Sequence, residues 1–170
     1  MSWGFLYSSS RMRCMREIIV ILHNVRSVHN VASIFRTADA AGISRVYLCG
    51  ITPTPHDRFG RVRNDFAKVS LGAENTVTWE RVSTTRRAIT RAKKEGFHVV
   101  AVEQSPRSIP YSDLRKYKKS IALVMGNEVR GISPALLRNA DEIIEIPMSG
   151  KKESLNVSVA FGVVAYGVQY

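Results

Sequence analysis

Three short polar segments hold residue types that can do chemistry. The first, "NVRSVHNVASIFRTADAAG" (24–42), contains Asn24, Arg26, Asn30 and Arg36. An amide can orient a polar substrate. A guanidinium can grip a phosphate through paired N–H groups or stabilise a developing oxyanion. The second, "LVMGNEVRGIS" (123–133), runs from apolar residues through Met125 into Gly126, Asn127, Glu128, Arg130 and Gly131. Glycines at such a point permit tight turns and close approach of a ligand to the backbone. The third, "IPMSGKKESLNVSVA" (146–160), places Ser154 and Asn156 ahead of an apolar stretch. Ser154 is expected to cap the last helix, with Asn156 in its first turn, where free N–H groups can hold a carboxylate or phosphate. Taken singly, each segment also has a plain structural reading: a solvated helix face, a connecting turn, a helix cap.

Regular elements must position these residues. "EIIVILH" (17–23) is a continuous apolar run, the pattern of a strand covered on both faces. After it, Val28, Val31, Ile34 or Phe35, Ala38 and Ala41 fall at helical spacing, and Gly42 is a natural stop. On that helix Asn30 and Arg36 lie about 120° apart. Asn30, Ser33 and Thr37 share a face opposite much of the apolar stripe. Further strands are expected at 44–50, 97–104, 119–126 and 142–147. Helices are expected at 81–96, at 133–140 (Ser133 at the N-cap, Pro134 at N1) and from Ser154 onward, and 51–65 reads as a loop. The alternation predicts an α/β domain with a mostly parallel sheet flanked by helices. Ligands in such sheets bind beyond the carboxyl ends of the strands. All three polar segments follow a strand, and no GxGxxG or GxxxxGK[ST] fingerprint is present.

Lys plus Arg total 25 against 14 acids in 170 residues, a formal charge of +11, which favours a polyanionic partner, nucleic acid first. Candidate contacts are Arg26, Arg58, Arg61, Arg63 and Lys151. Other basic runs are Arg86, Arg87, Arg91, Lys93 and Lys94, and Arg115, Lys116, Lys118 and Lys119. Cys14 and Cys49 form no disulfide framework or metal-ligand spacing, which fits a reducing, cytoplasmic setting. The four histidines are scattered and support no metal. The most apolar helical stretch, 155–170, is 16 residues long, short of a membrane span. Residues 1–16 are expected to be a disordered tail with Met15 an alternative start, and 17–170 one domain.

In this order the three segments resemble the SpoU (TrmH) family of RNA ribose 2′-O-methyltransferases, within the SPOUT superfamily. The resemblance rests on Asn30, Arg36, Ala38 and Gly42; on Gly126, Asn127, Glu128 and Gly131; and on Ile146, Pro147, Met148, Ser154, Leu155 and Asn156. It implies a deep trefoil knot near the carboxyl end and S-adenosylmethionine held by Met125–Asn127, Gly131, Ile146–Met148 and Ser154–Asn156. It implies Arg36 as the catalytic arginine, with Asn30 orienting it or the ribose. Glu128 would hold the pocket and contact Arg36, while Ser154 and Asn156 position cofactor and nucleotide. It further implies an RNA substrate, tRNA ahead of rRNA, and a homodimer through the last helix. Guanosine-N1 methylation and a non-catalytic RNA-binding module on the same fold are the alternatives.

Overall fold

The computed structural model describes residues 16–169. The tail, Cys14 and Met15 therefore lie outside the described residues, except that Arg16 belongs to the fold. Its guanidinium donates to the carbonyl oxygens of Leu114, Tyr117 and Val168.

Seven strands pair, all in parallel, in the order β3-β2-β1-β6-β4-β7-β5. They are β1 (Ile18–His23), β2 (Arg45–Cys49), β3 (Trp79–Val82), β4 (His98–Val102), β5 (Ile109–Pro110), β6 (Ile121–Met125) and β7 (Glu142–Glu145). The continuous apolar run of β1 is explained by its central place. Its side chains alternate between two cores, as the two-residue period of a strand requires. Ile18, Val20 and Leu22 face one core and Ile19 and Ile21 the other, none more than 1% exposed.

The first core is roofed by α1 (Val28–Ala40), α2 (Asn64–Ser70), α3 (Ala73–Thr76) and α6 (Val157–Gln169). Phe35 of α1 meets Phe66 of α2 edge to face, centroids 5.2 Å apart. Phe161, Val164, Ala165 and Val168 of α6 are fully buried in the same core. Phe161, Val164 and Val168 each contribute about 1.5–3 kcal/mol by leaving water. The second core is roofed by α4 (Thr85–Lys94) and α5 (Pro134–Leu137). A 3-10 helix, Tyr111–Lys116, packs under α6, where a Cβ on Gly167 would lie 2.4 Å from the Tyr111 ring.

The chain steps outward from β1 to β2 and β3, and α4 then carries it across the second face to β4. Neighbours β1 and β6 therefore mark the point where the strand order reverses. Crevices at the carboxyl ends of the strands open there in doubly wound sheets.

Two expectations are corrected. The segment 81–96 is not one helix: Arg81 and Val82 complete β3, paired with β2, and α4 starts only at Thr85. Thr84 supplies the cap, its hydroxyl accepting from the Arg87 N–H. A cap embedded in a helix-favouring basic run hid the boundary. The 51–65 loop is also more ordered than its irregular sequence suggested. His56 and Val62 form an antiparallel bridge, and Asp57 accepts from the Phe59 and Arg61 N–H groups.

Among the described residues no helix is long and apolar enough to cross a membrane.

Candidate active site

Ser27 starts α1, its hydroxyl accepting from the Asn30 N–H, and Gly42 (φ +68°) follows its end. The first turn of a helix leaves N–H groups without partners and carries partial positive charge. Glu128, on the loop after β6, fills that need. Its carboxylate accepts from the Arg26 N–H (3.0 Å), the Ser27 N–H (3.1 Å) and Asn30 Nδ2 (3.1 Å). Partial burial pushes the carboxyl up, but these three donors together with the Glu128 backbone N–H outweigh it and hold Glu128 below the usual range.

Asn30 sits between two partners. It is only 8% exposed, and its Oδ1 accepts from Asn156 Nδ2 at 3.1 Å. Glu128, Asn30 and Asn156 thus form one side-chain relay that joins all three sequence segments. The face of α1 carrying Asn30 and Thr37 is covered by the chain's last helix; a Cβ on Gly162 of α6 would touch the Thr37 methyl at 3.7 Å.

Asn156, not Ser154, caps α6. Its Oδ1 accepts from the Ser158 N–H (2.9 Å) and hydroxyl (2.7 Å). Ser154 lies two residues earlier, exposed in the loop. Serine and asparagine cap about equally well, so only the tether to Asn30 decides between them.

Glu128 does not contact Arg36, and that expectation is corrected: its carboxylate is spent on the α1 amino end. Asn30 does not contact Arg36 either, which leaves the ribose as the partner of the two expected for it. Arg36 lies six residues further along α1, about 9 Å along its axis. It is exposed and makes no hydrogen bond or ion pair among the described residues.

The β6-β4-β7 order brings the 126–131 and 146–156 loops to either side of the loop after β4. Met125 is buried at the end of β6. Asn127 Nδ2 donates to the Asn24 carbonyl (2.7 Å), and its Oδ1 accepts from the Val129 and Arg130 N–H groups. Gly126 and Gly131 form a narrow cradle: a Cβ on Gly126 would lie 2.9 Å from the Gly131 carbonyl carbon. Glu103 buttresses it, accepting from the Ile132 N–H at 2.7 Å. On the far side Gln104 Nε2 donates to the Glu153 carbonyl at 2.6 Å. Ile146 packs against the first core. Beyond it, residues 147–155, including Pro147, Met148, Ser154 and Leu155, make no backbone–backbone hydrogen bond among the described residues. Most of these residues are exposed, Leu155 at 41%. Backbone groups outside the regular ladders, next to a tight glycine turn and an apolar side chain, suit a ligand with both polar and apolar parts.

Glu103 and Gln104 escaped sequence reading. The signal available was a polar pair closing an apolar strand. Of the basic candidates, Arg61 and Arg63 are paired with Asp57 (2.8 Å) and Asp65 (2.9 Å). Arg26, Arg58 and Lys151 are exposed and make no ion pair among the described residues. No group of three or more metal-ligating side chains occurs among the described residues.

An all-parallel sheet whose strand order reverses between β1 and β6 defines a doubly wound α/β domain. Within that class the model of the SpoU rRNA Methylase family matches residues 17–166, and the chain belongs to that family. It is 32% identical over 173 residues to a tRNA (guanosine(18)-2′-O)-methyltransferase of Aquifex aeolicus, covering 97% of this chain and 78% of that protein. It is 33% identical to the 23S rRNA (guanosine-2′-O-)-methyltransferase RlmB of Ralstonia nicotianae, covering 88% of this chain but 57% of that one. The crystal structure of an AdoMet-bound rRNA methyltransferase from Sinorhizobium meliloti superposes with a TM-score of 0.77 at 30% identity. That match covers 89% of this chain and 55% of the other.

Proposed function

We propose that this protein transfers a methyl group from S-adenosylmethionine to a ribose 2′-hydroxyl of RNA. The observation that carries the reading is the Glu128–Asn30–Asn156 relay, which fastens three polar segments into one site at the carboxyl edge of the sheet. Membership of the SpoU family supports it, as do relatives named for 2′-O-methylation of tRNA and rRNA.

S-adenosylmethionine supplies an electrophilic sulfonium methyl when bound. The cradle of Gly126 and Gly131, with Met125 and Asn127, would hold it on one side. Ile146, Pro147, Met148, Ser154 and Leu155 would hold it on the other, largely through backbone groups. What the chain must add is alignment of the hydroxyl with that methyl. A guanidinium offers donors and no acceptor, so the part of Arg36 is to grip the phosphate beside the ribose and stabilise charge developing on the attacking oxygen. Asn30 and Asn156 fix the position of the 146–156 loop relative to α1. Glu128 fixes the amino end of α1.

The RNA is proposed to be tRNA. The fold is proposed to carry a trefoil knot, in keeping with the packing of α6 between α1 and the 111–116 helix. A homodimer through α6 is supported by its composition: the helix is apolar all round, yet Val159 (51%) and Tyr166 (43%) remain exposed.

The test is incubation with S-adenosylmethionine labelled in its methyl group and total RNA, followed by alkaline hydrolysis. Label in alkali-resistant dinucleotides is the expected result. Label on a base, or no transfer at all, would overturn the proposal.

A further inference from the structure

A second crevice opens at the switch point, on the opposite side of β1 from the Asn30 relay. It encloses about 660 Å³, within the range of pockets that hold small ligands. His23 and Asn24 come from the end of β1, Thr85 and Arg86 from the start of α4, and Arg138 and Asn139 from the end of α5. No acidic side chain among the described residues lines it. Arg45, Arg61, Arg63 and Arg91 each face a carboxylate. Arg86 and Arg138, by contrast, make no ion pair among the described residues.

Its polar wall is built rather than incidental. Asn24 takes the left-handed conformation (φ 53°), rare for a residue with a side chain. From there its Oδ1 accepts from the Ile51 N–H and its carbonyl from Asn127 Nδ2. Thr85, 5% exposed, fixes the His23 imidazole through an Oγ1–Nδ1 contact of 2.7 Å. Asn139 spends its Nδ2 on the Ala135 carbonyl, which leaves Oδ1 as an acceptor. The crevice is also continuous with the candidate active site. An adjoining cleft of about 660 Å³ shares His23 and Asn24, carries Arg26 and Arg130, and ends at Asn127, next to Glu128.

We propose that this crevice is a nucleobase pocket: it takes one unpaired base of the bound RNA at His23 and Asn139, while Arg86 and Arg138 hold the adjoining phosphates. Fixed hydrogen-bonding groups within a cationic trough match the way proteins read splayed, single-stranded RNA bases. The pocket gives the domain a means of choosing a nucleotide near the methylation site. This rests on the RNA reading of the preceding section.

The test uses the full chain and fluorescent single-stranded RNAs of about ten nucleotides, one for each base, with anisotropy measured over a salt series. The wild type is expected to prefer one base. The Arg86→Ala/Arg138→Ala variant should bind about tenfold or more weakly at moderate salt, with the log–log salt slope reduced by about 1.4 for two lost phosphates. Asn139→Ala should narrow the preference among bases. Calorimetric binding of S-adenosylmethionine should stay unchanged in both. Equal binding of all bases by the wild type would overturn the pocket, as would an unchanged salt slope in the double variant. If these binding results hold but no methyl is transferred, the pocket stands and the methyltransferase reading falls. If methyl transfer is normal in wild type and double variant alike, the pocket falls and the methyltransferase reading stands.

Discussion

Replacing Asn30 by alanine tests the relay directly. The substitution removes a 3.1 Å hydrogen bond to the Glu128 carboxylate and a 3.1 Å bond from Asn156. A bond to a charged group is worth about 1.5–3 kcal/mol and a neutral one about 1 kcal/mol. Both losses are softened. Glu128 keeps the Arg26 and Ser27 N–H groups, and Asn156 is near enough to the surface to turn to water. The expected cost is therefore about 2 kcal/mol, or about 4–8 °C in Tm for a domain of this size. Stability of that order leaves the chain folded, so a larger drop in methyl transfer, about 100-fold, would report lost alignment of the 146–156 loop. Urea unfolding of Asn30→Ala, Asn156→Ala and the double variant closes the cycle. A relay predicts a coupling of about 0.5–1 kcal/mol. Effects that add to within about 0.3 kcal/mol would refute it. Asn30→Asp supplies an independent check: a second carboxylate 3.1 Å from Glu128 Oε1 should cost more than alanine does.

Arg36→Ala should abolish methyl transfer while calorimetric affinity for S-adenosylmethionine survives; near-normal transfer would remove Arg36 from the site. Gly131→Ala introduces a Cβ at φ +59°, 2.3 Å from Glu103 Oε2. It should cost about 1–3 kcal/mol and weaken cofactor binding, and unchanged affinity would argue against the cradle. Burial holds the His23 imidazole below its ordinary value. Its contribution to stability is thus complete above about pH 6.5 and is lost as pH falls toward the folded pKa; an NMR titration midpoint at or above about 6.5 would contradict this. Burial pushes the Cys49 thiol up to about 12. Peptide mapping after alkylation at pH ~8 should find it unmodified in the native protein and modified in urea, since only the thiolate reacts.

The parallel sheet was legible because β1 and β6 are unbroken apolar runs, which only a doubly covered strand tolerates. The end of α1 was legible in Gly42 and the start of α5 in Ser133–Pro134. Chain order alone brought the three polar segments together, through the family resemblance. Side-chain direction could not be read. Ser154 was read as the cap on local grounds, but asparagine caps as well, and a tether 126 residues away in sequence selects Asn156. The resemblance pointed Glu128 toward Arg36, whereas three N–H donors at the amino end of α1 hold it instead. The 64–76 region, two short helices hinged on Leu71 and Gly72 in left-handed geometry, had too few residues to show a period.

The clasp between Arg16 and the end of α6 bears on how the protein comes into being. Arg16 is held by the carbonyl of Val168, and Asn30 by a side chain that caps the same helix. During synthesis the amino-terminal strand, α1 and their polar residues leave the ribosome long before 157–169 do. Until that helix has cleared the exit tunnel, one core lacks part of its roof and the relay lacks its third member. Until then an emerging chain carries an incomplete relay. The same dependence means that unravelling the last turn of α6 at Val168 would loosen the first strand as well as the helix.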